Sequence, residues 1–494
     1  VVTFAAVVAL VLIFARPISQ GAHALVDATS RLFGSSKSTD LLTASTASES
    51  TSSTTRTASA SVAAPVPAPV AQAPAANPQP APAAVAQPAP STVAQASSGG
   101  QQLSLSSPGQ PLGQDTSGPK VMVRGVTDTE IRFGISAPFS GAAKELGQNM
   151  RLGIEAAFNA ANARGGVNGR QLKLIAADDG YEPARTADTM KRLYERDQIF
   201  AVVGNVGTPT AAVALPYALD RKMLFFGAFT GAGLLRSDPP DRYVFNYRAS
   251  YAEETAATVQ YLVKVKRLKP SQIAVFAQQD AYGDAGFSGV AKAIRALGGD
   301  ENAILRLHYQ RNTVDVDDAV DQLRKSRIPI RAVIMVPAYR AAAKFIEKTR
   351  DLFPGMIYTS VSFVGSTALA NELMLLGKRF ASGVIVTQVV PALDGHSSLV
   401  LDYKAALSKY FPGEQPDYVS LEGYVAANVL ITALRRNGPD LDTEKLVTTL
   451  ENLRDLDIGL GTPVSFGRSE HQGVHKVWGT QIDDNGRYQP IDLQ

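Results

Sequence analysis

The 494-residue sequence contains no cysteine. That removes disulfides, thiolate metal sites and a cysteine nucleophile together, along with the residue on which a bacterial lipoprotein carries its lipid. Histidine is scarce, with five in all. Two lie close together in "HQGVH" at 471–475, but Gly473 stands between them in a stretch that reads as loop and strand, so no helical metal-binding face forms. Net charge is only +3, and the densest basic stretch, "KVKRLK" at 264–269, reads as a solvated surface. Neither argues for a nucleic-acid partner. There is no G-x-S-x-G elbow, no G-x-x-x-x-G-K-[ST] phosphate loop and no H-E-x-x-H. Asp178 and Asp179 come nearest to a catalytic acid pair, yet adjacent strand residues point to opposite faces. No catalytic residue, metal or cofactor is expected.

What is present begins with an apolar run, "VVTFAAVVALVLIFARP" at 1–17. It is short for a full span and right for a signal-peptide core. "AHA" at 22–24 offers a cleavage site; the other reading of 1–24 is an uncleaved membrane anchor, a tether at the N-terminus. Residues 25–125 are rich in Ser, Thr, Ala, Pro and Gln. Such a composition buries too little apolar area to offset chain entropy, so a disordered linker is expected. The rest of the chain is expected to be exported, either periplasmic or held at the inner membrane by 1–24.

The folded body is expected over 126–494. Continuous apolar runs at "IRFGIS", "QLKLIAA", "IFAVVG", "KMLFFGA", "QIAVFAQ", "AVIMVP", "MIYTSVS" and "GVIVTQVV" suit strands covered on both faces. Between them lie amphipathic helical patterns. In "ELGQNMRLGIEAAFNAANARGG" the residues Leu146, Met150, Ile154 and Phe158 form one stripe at i, i+4 spacing. Gly165 and Gly166 end it, and Asn168-Gly169 turns the chain back. The alternation predicts doubly wound parallel sheets, and the length predicts two α/β lobes.

Ligands of open parallel sheets sit outside the carboxyl ends of the strands, where strand order reverses. Two glycine-rich loops fall at such ends. In "VVGNVGTPT" Thr208 is expected as a helix N-cap with Pro209 in the first helical position, and the N–H groups near Thr210 and Ala211 face the crevice beside the Thr208 hydroxyl. A side chain larger than Gly207 would crowd them. In "GAFTGAG" Thr230 offers a backbone and a hydroxyl donor, and the Ala228 carbonyl an acceptor. The glycine spacing there does not fit a dinucleotide loop. Further strand ends carry Tyr282, then Tyr339 with Arg340, then Phe363 followed by a Ser366/Thr367 cap. These are aromatic groups placed to close over a ligand, or alternatively to pack one lobe on the other.

In this order and spacing the motifs resemble the type I periplasmic solute-binding proteins of the branched-chain amino acid group, which serve ABC importers. The resemblance covers roughly 128–494. It starts from "IRFGISAPFSGAAKELGQNMRLGIEAAFNAANARGGVNGRQLKLIAADD" and continues through "VVGNVGTPT", "GAFT", "DAYGDAG", "ASGVIVTQVVP", "SLEGYVAANVLITAL" and "SFGRSEHQG". It implies two lobes joined by three crossovers, lobe one at 128–248 and 392–472 and lobe two at 249–391 and 473–494. It also implies a small solute held between lobes that close by a hinge, and docking on an inner-membrane permease. Carried over residue by residue, it gives Thr208 and Thr230 the α-carboxylate of an amino acid, the Ala228 carbonyl its ammonium, Tyr282 the cover and Leu146 the side-chain pocket.

One departure stands out. Leucine-type members carry an acid for the ammonium after the strand matching "AVIMVP", and this sequence reads "PAYRAAAK". Like charges at short range repel, so Arg340 beside an ammonium is unfavourable. Either Glu253, Glu254 or Asp280 substitutes, or the ligand is a carboxylate without an amine, or Arg340 points to solvent. The expected function is a non-enzymatic receptor for an amino acid or related carboxylate that serves a permease. The alternative keeps the fold in an envelope-tethered sensing or assembly module.

Overall fold

In a computed structural model, residues 122–494 are described. The leader or anchor at 1–24 and nearly all of the linker at 25–125 lie outside the described residues.

Two sheets organise this region. The first holds β1 (Glu130–Ala137), β2 (Gln171–Asp178), β3 (Ala201–Val203), β4 (Phe225–Phe226) and β5 (Val244–Phe245). All are parallel, in the order β2-β1-β3-β4-β5. The second holds β6 (Ile273–Gln278), β7 (Arg306–Tyr309), β8 (Ala332–Val336), β9 (Ile357–Ser360), β10 (Ile385–Gln388), β11 (Trp478–Ile482) and β12 (Tyr488–Ile491), in the order β12-β11-β10-β9-β8-β6-β7. Its parallel part, β7-β6-β8-β9-β10, repeats the topology of the first sheet. Each sheet therefore has one point where strand order reverses, between β1 and β3 and between β6 and β8.

The expected runs fold as strands because both faces are covered: every residue of β3, β6, β8 and β10 is buried. Four strands went unnoticed in the sequence. β5 has two residues, and β7 is an edge strand of alternating burial. β11 and β12 form an antiparallel hairpin against β10, so the second sheet is mixed. The hairpin's polar positions, Thr480 and Gln481 among them, hide it from a search for apolar runs.

The helix Lys144–Asn162 buries Leu146, Met150, Ile154 and Phe158, the stripe read from the sequence. Its end is a glycine closure, with Gly166 N–H donating to Ala161 O at 3.0 Å. The helix Tyr418–Asn437 lies so close to it that a Cβ on Gly153 would stand 1.8 Å from Ser420 O. Residues 398–437, although late in the chain, thus pack with the first sheet. The chain passes between the sheets three times, after β5, after β10 and before β11. The Tyr247 hydroxyl donates to Val389 O at 2.7 Å, and Gly473 N–H donates to Asn246 O at 2.8 Å, which ties the three passages together.

Candidate functional site

The loops after β3 and β4 meet at the end of the first sheet. Gly207 N–H donates to Phe229 O, and Phe229 N–H donates to Asn205 O at 2.7 Å. Gly207 has φ 101, a left-handed value that favours glycine, and a Cβ there would stand 2.2 Å from Tyr181 Cε2. The loop needs glycine to seat on the Tyr181 ring. Gly207, not Thr208, is the N-cap of the helix Thr208–Asp220, and no side chain caps it. The Thr208 hydroxyl is therefore free of capping and lies 2.7 Å from the Thr230 hydroxyl. Both residues are buried, at 1% and 0% exposure.

Other expected roles change. The Thr210 hydroxyl donates back to Val206 O and Gly207 O, as threonines in a first helical turn do, and is spent there. Ala211 N–H donates to Gly207 O. Thr208 and Thr210 keep first-turn N–H groups without an intrahelical acceptor. Thr230 N–H donates to Ala228 O at 2.9 Å, so the expected backbone donor of this loop is spent on its expected acceptor, whose carbonyl keeps a second lone pair. Ser366 likewise opens its helix after an N-cap at Gly365, with no side-chain cap.

Aromatic rings from both sheets converge on the threonine pair. Phe363 stacks on Phe229 at 4.9 Å with 27° between planes, and it approaches Tyr282 at 4.6 Å and Tyr181 at 6.1 Å. Tyr251 lies 5.4 Å from Tyr282 and 6.4 Å from Phe363. Thr230 stands beside the Tyr251 hydroxyl, and burial pushes that phenol up to about 12. Phe363 follows β9 and Tyr282 follows β6, so the strand ends of the second sheet supply this cover.

Leu146 and Tyr339 both border Gly365, where an added Cβ would lie 2.6 Å from Leu146 Cδ2 and 3.6 Å from Tyr339 Cδ1. Arg340 borders the second group, its guanidinium carbon 5.8 Å from the Tyr339 ring centroid. It is exposed, faces Glu372 at 3.4 Å, and lines an open cavity of about 390 Å3 together with Glu145 and Asp417. Of its sequence readings, the solvent-facing one describes it.

Behind the rings lies a buried charge cluster that went unread in the sequence, apart from Glu254 as a candidate amine partner. Arg248, in the first passage between sheets, donates through Nη2 to Glu254 Oε1 at 2.8 Å and to Ser362 Oγ. Glu254 also accepts from Ser362 N, Ser362 Oγ and Thr387 Oγ1. Arg248 Nη1 lies 3.4 Å from Glu422 Oε1. Burial works against the Arg248 charge, yet Glu422 and Glu254 together hold its pKa above the ordinary arginine value. Burial lifts Glu422 to about 7, with Arg248 opposing the rise. The legible signal was Glu422 itself, a lone acid in the apolar helix "VSLEGYVAANVLITAL". Its partner's distance in sequence is what hid the pair.

The acid pair is separated as strand geometry requires. Asp178 accepts from Phe139 N, Ser140 Oγ and Gly180 N, and these bonds outweigh its desolvation and hold it near 2. Asp179, buried, accepts from Ser136 Oγ, Thr186 Oγ1 and Tyr181 N, and desolvation raises it to about 6. Both organise the loop that carries Tyr181. The two close histidines also part: the His471 ring stacks on Phe245 at 3.9 Å, while His475 Nδ1 lies 2.7 Å from Glu253 Oε1.

Known proteins resemble this chain in sequence and fold. A family model described as periplasmic binding protein matches residues 130–487. A crystal structure from Rhodopirellula baltica SH 1, described as a possible leucine/isoleucine/valine-binding protein, is 43% identical with a TM-score of 0.71, over 74% of this chain and 97% of that one. The Leu/Ile/Val-binding protein homolog 3 of Brucella melitensis is 24% identical over 336 residues, 67% of this chain and 86% of that protein. A fatty acid ABC transporter substrate-binding protein from Thermomonospora curvata shares the fold at 20% identity, with a TM-score of 0.68 over 75% of this chain and 93% of that one.

Proposed function

Since this chain belongs to the periplasmic binding protein family, as a type I member of the branched-chain amino acid group, we propose that it is an extracytoplasmic receptor. It captures a small carboxylate, an amino acid or a related acid, between its two sheets and delivers it to an ABC-type permease. The observation that carries this reading is the Thr208–Thr230 hydroxyl pair, 2.7 Å apart at the carboxyl ends of neighbouring parallel strands. The hydroxyls and the first-turn N–H groups of Thr208 and Thr210 receive the carboxylate, where the positive end of the helix dipole favours an anion. Tyr282 and Phe363 cover it from the second sheet, and Leu146 with Tyr339 lines the far end. Micromolar affinity requires about 8 kcal/mol net, within reach of one enclosed carboxylate plus apolar contact.

The test is a thermal-shift and calorimetric screen of the full chain against amino acids and simple or aromatic carboxylates. A ligand at 100 times its dissociation constant adds about 2.7 kcal/mol of stability. A binder whose affinity survives both Thr208→Ala and Thr230→Ala would reject this site. Uptake assays with the permease then separate import from an envelope-tethered sensing or assembly role.

A further inference from the structure

We propose that the site selects aromatic carboxylates that carry no α-amino group. This rests on the threonine pair being the carboxylate site, and it names the ligand class from the hydrogen-bond accounting around that pair.

An α-amine lies one carbon from its carboxylate, so an acceptor for it has to stand beside the threonines. The Ala228 carbonyl already accepts from Thr230 N–H at 2.9 Å. Glu254 accepts four bonds, from Arg248 Nη2, Ser362 N, Ser362 Oγ and Thr387 Oγ1, at 2.5–3.0 Å. Glu253 is held by Ser250 N, Ser250 Oγ, Gln472 Nε2 and His475 Nδ1. Asp280 is held by Tyr282 N, Gln278 Nε2 and Arg311 Nη1. Of these carboxylates Glu422 makes the fewest bonds. Its contact is the Arg248 cation, which repels an incoming ammonium, and its burial favours the neutral acid.

Donors, by contrast, are in surplus. Two hydroxyls that bond each other leave one O–H free. Among the described residues, buried Arg248 Nη1 has no hydrogen-bond partner, and the Tyr251 hydroxyl makes no bond of full geometry. The unspent charge here is the Arg248 cation, whereas the unpaired buried acceptor of the loop, Asn205 Oδ1, is an uncharged amide oxygen, and this balance suits an anion rather than a zwitterion.

The rings decide the rest of the ligand. Phe229 comes from the first sheet and Phe363 from the second, and they meet face on at 4.9 Å. Separating the sheets parts this stack. A flat ring entering between them replaces each lost aromatic contact with another, and an aliphatic chain does not. Arg248 lies 5.2 Å from the Phe229 ring centroid and places a cation beside the slot.

The experiment is calorimetry on the full chain with two matched pairs: phenylalanine against 3-phenylpropanoate, and leucine against 4-methylpentanoate. We expect each acid without the amine to bind at least tenfold tighter than its amino acid, and 3-phenylpropanoate to bind at least tenfold tighter than 4-methylpentanoate. Phe229→Leu and Phe363→Leu should each weaken 3-phenylpropanoate at least fivefold and change 4-methylpentanoate less than twofold. Amino acids that match or exceed their deaminated partners overturn the amine argument and leave the carboxylate receptor standing. Equal affinity for the two deaminated acids, or equal losses in the leucine variants, overturns the ring slot. No binding of any of the four removes the carboxylate site and this inference with it.

Discussion

The Arg311 guanidinium lies 2.9 Å from the Glu182 carboxylate and joins the two sheets at the edge bordered by β2 and β7. Arg311 also reaches Asp280 Oδ2 at 3.0 Å, next to Tyr282, and Asn312 Nδ2 donates to both Gly180 O and Glu182 Oε1. Two consecutive residues after β7 thus fasten the loop after β2, far in sequence from the passages that join the sheets.

Arg311→Ala is expected to speed ligand release several-fold while lowering stability by less than about 1 kcal/mol, because both partners are partly exposed and screened. Stopped-flow dissociation measures the first and urea unfolding the second. An unchanged release rate would deny this pair a part in holding the closed form.

Thr208→Ala and Thr230→Ala are each expected to weaken ligand binding about tenfold or more, equivalent to about 1.4 kcal/mol. Each leaves the other hydroxyl without its 2.7 Å partner, so a stability loss of about 1–3 kcal/mol accompanies it. Titration calorimetry with parallel melts separates the two effects.

Gly207→Ala meets two obstacles, a backbone at φ 101 and a ring carbon 2.2 Å from the new Cβ. We expect a loss of about 2 kcal/mol or more. Gly298, at φ 76 with nothing within 4 Å of an added Cβ, isolates the backbone share. Gly298→Ala should cost about 1 kcal/mol. Urea midpoints that move equally in the two variants would remove Tyr181 from the explanation.

Glu422 sets a pH dependence. Its folded pKa, about 7, exceeds the ordinary 4.5, so the native state holds the proton more tightly than the unfolded chain. The stabilisation is full below about 4.5 and fades as pH rises through 7. Glu422→Gln fixes the neutral form, and its stability relative to the unmodified protein should climb between pH 5 and pH 8. Parallel stability curves across that range would show that Glu422 titrates normally.

Much of this architecture could be read locally. The runs "QIAVFAQ" and "AVIMVP" suit strands buried on both faces, and they became β6 and β8. The stripe of Leu146, Met150, Ile154 and Phe158 faces the core as its spacing required. Thr208 and Thr230 were placed at strand ends by the glycines around them, and the structure sets them together. Individual local bonds differ from expectation where competing partners were equally local but invisible without coordinates. Gly207 took the cap expected of Thr208, Ala211 N–H found Gly207 O, and Thr230 N–H met Ala228 O.

The sequence by itself determined the parallel strands of two α/β sheets and hydroxyl-bearing loops at their carboxyl ends, because periodicity and glycine placement act over a few residues. Only the tertiary structure decided that Arg248 meets Glu254 and Glu422, that Phe363 stacks on Phe229, and that Arg340 turns to solvent. Those partners lie up to 174 residues apart in the chain. They meet because the chain passes three times between the sheets, and no local preference encodes where those passages bring side chains together.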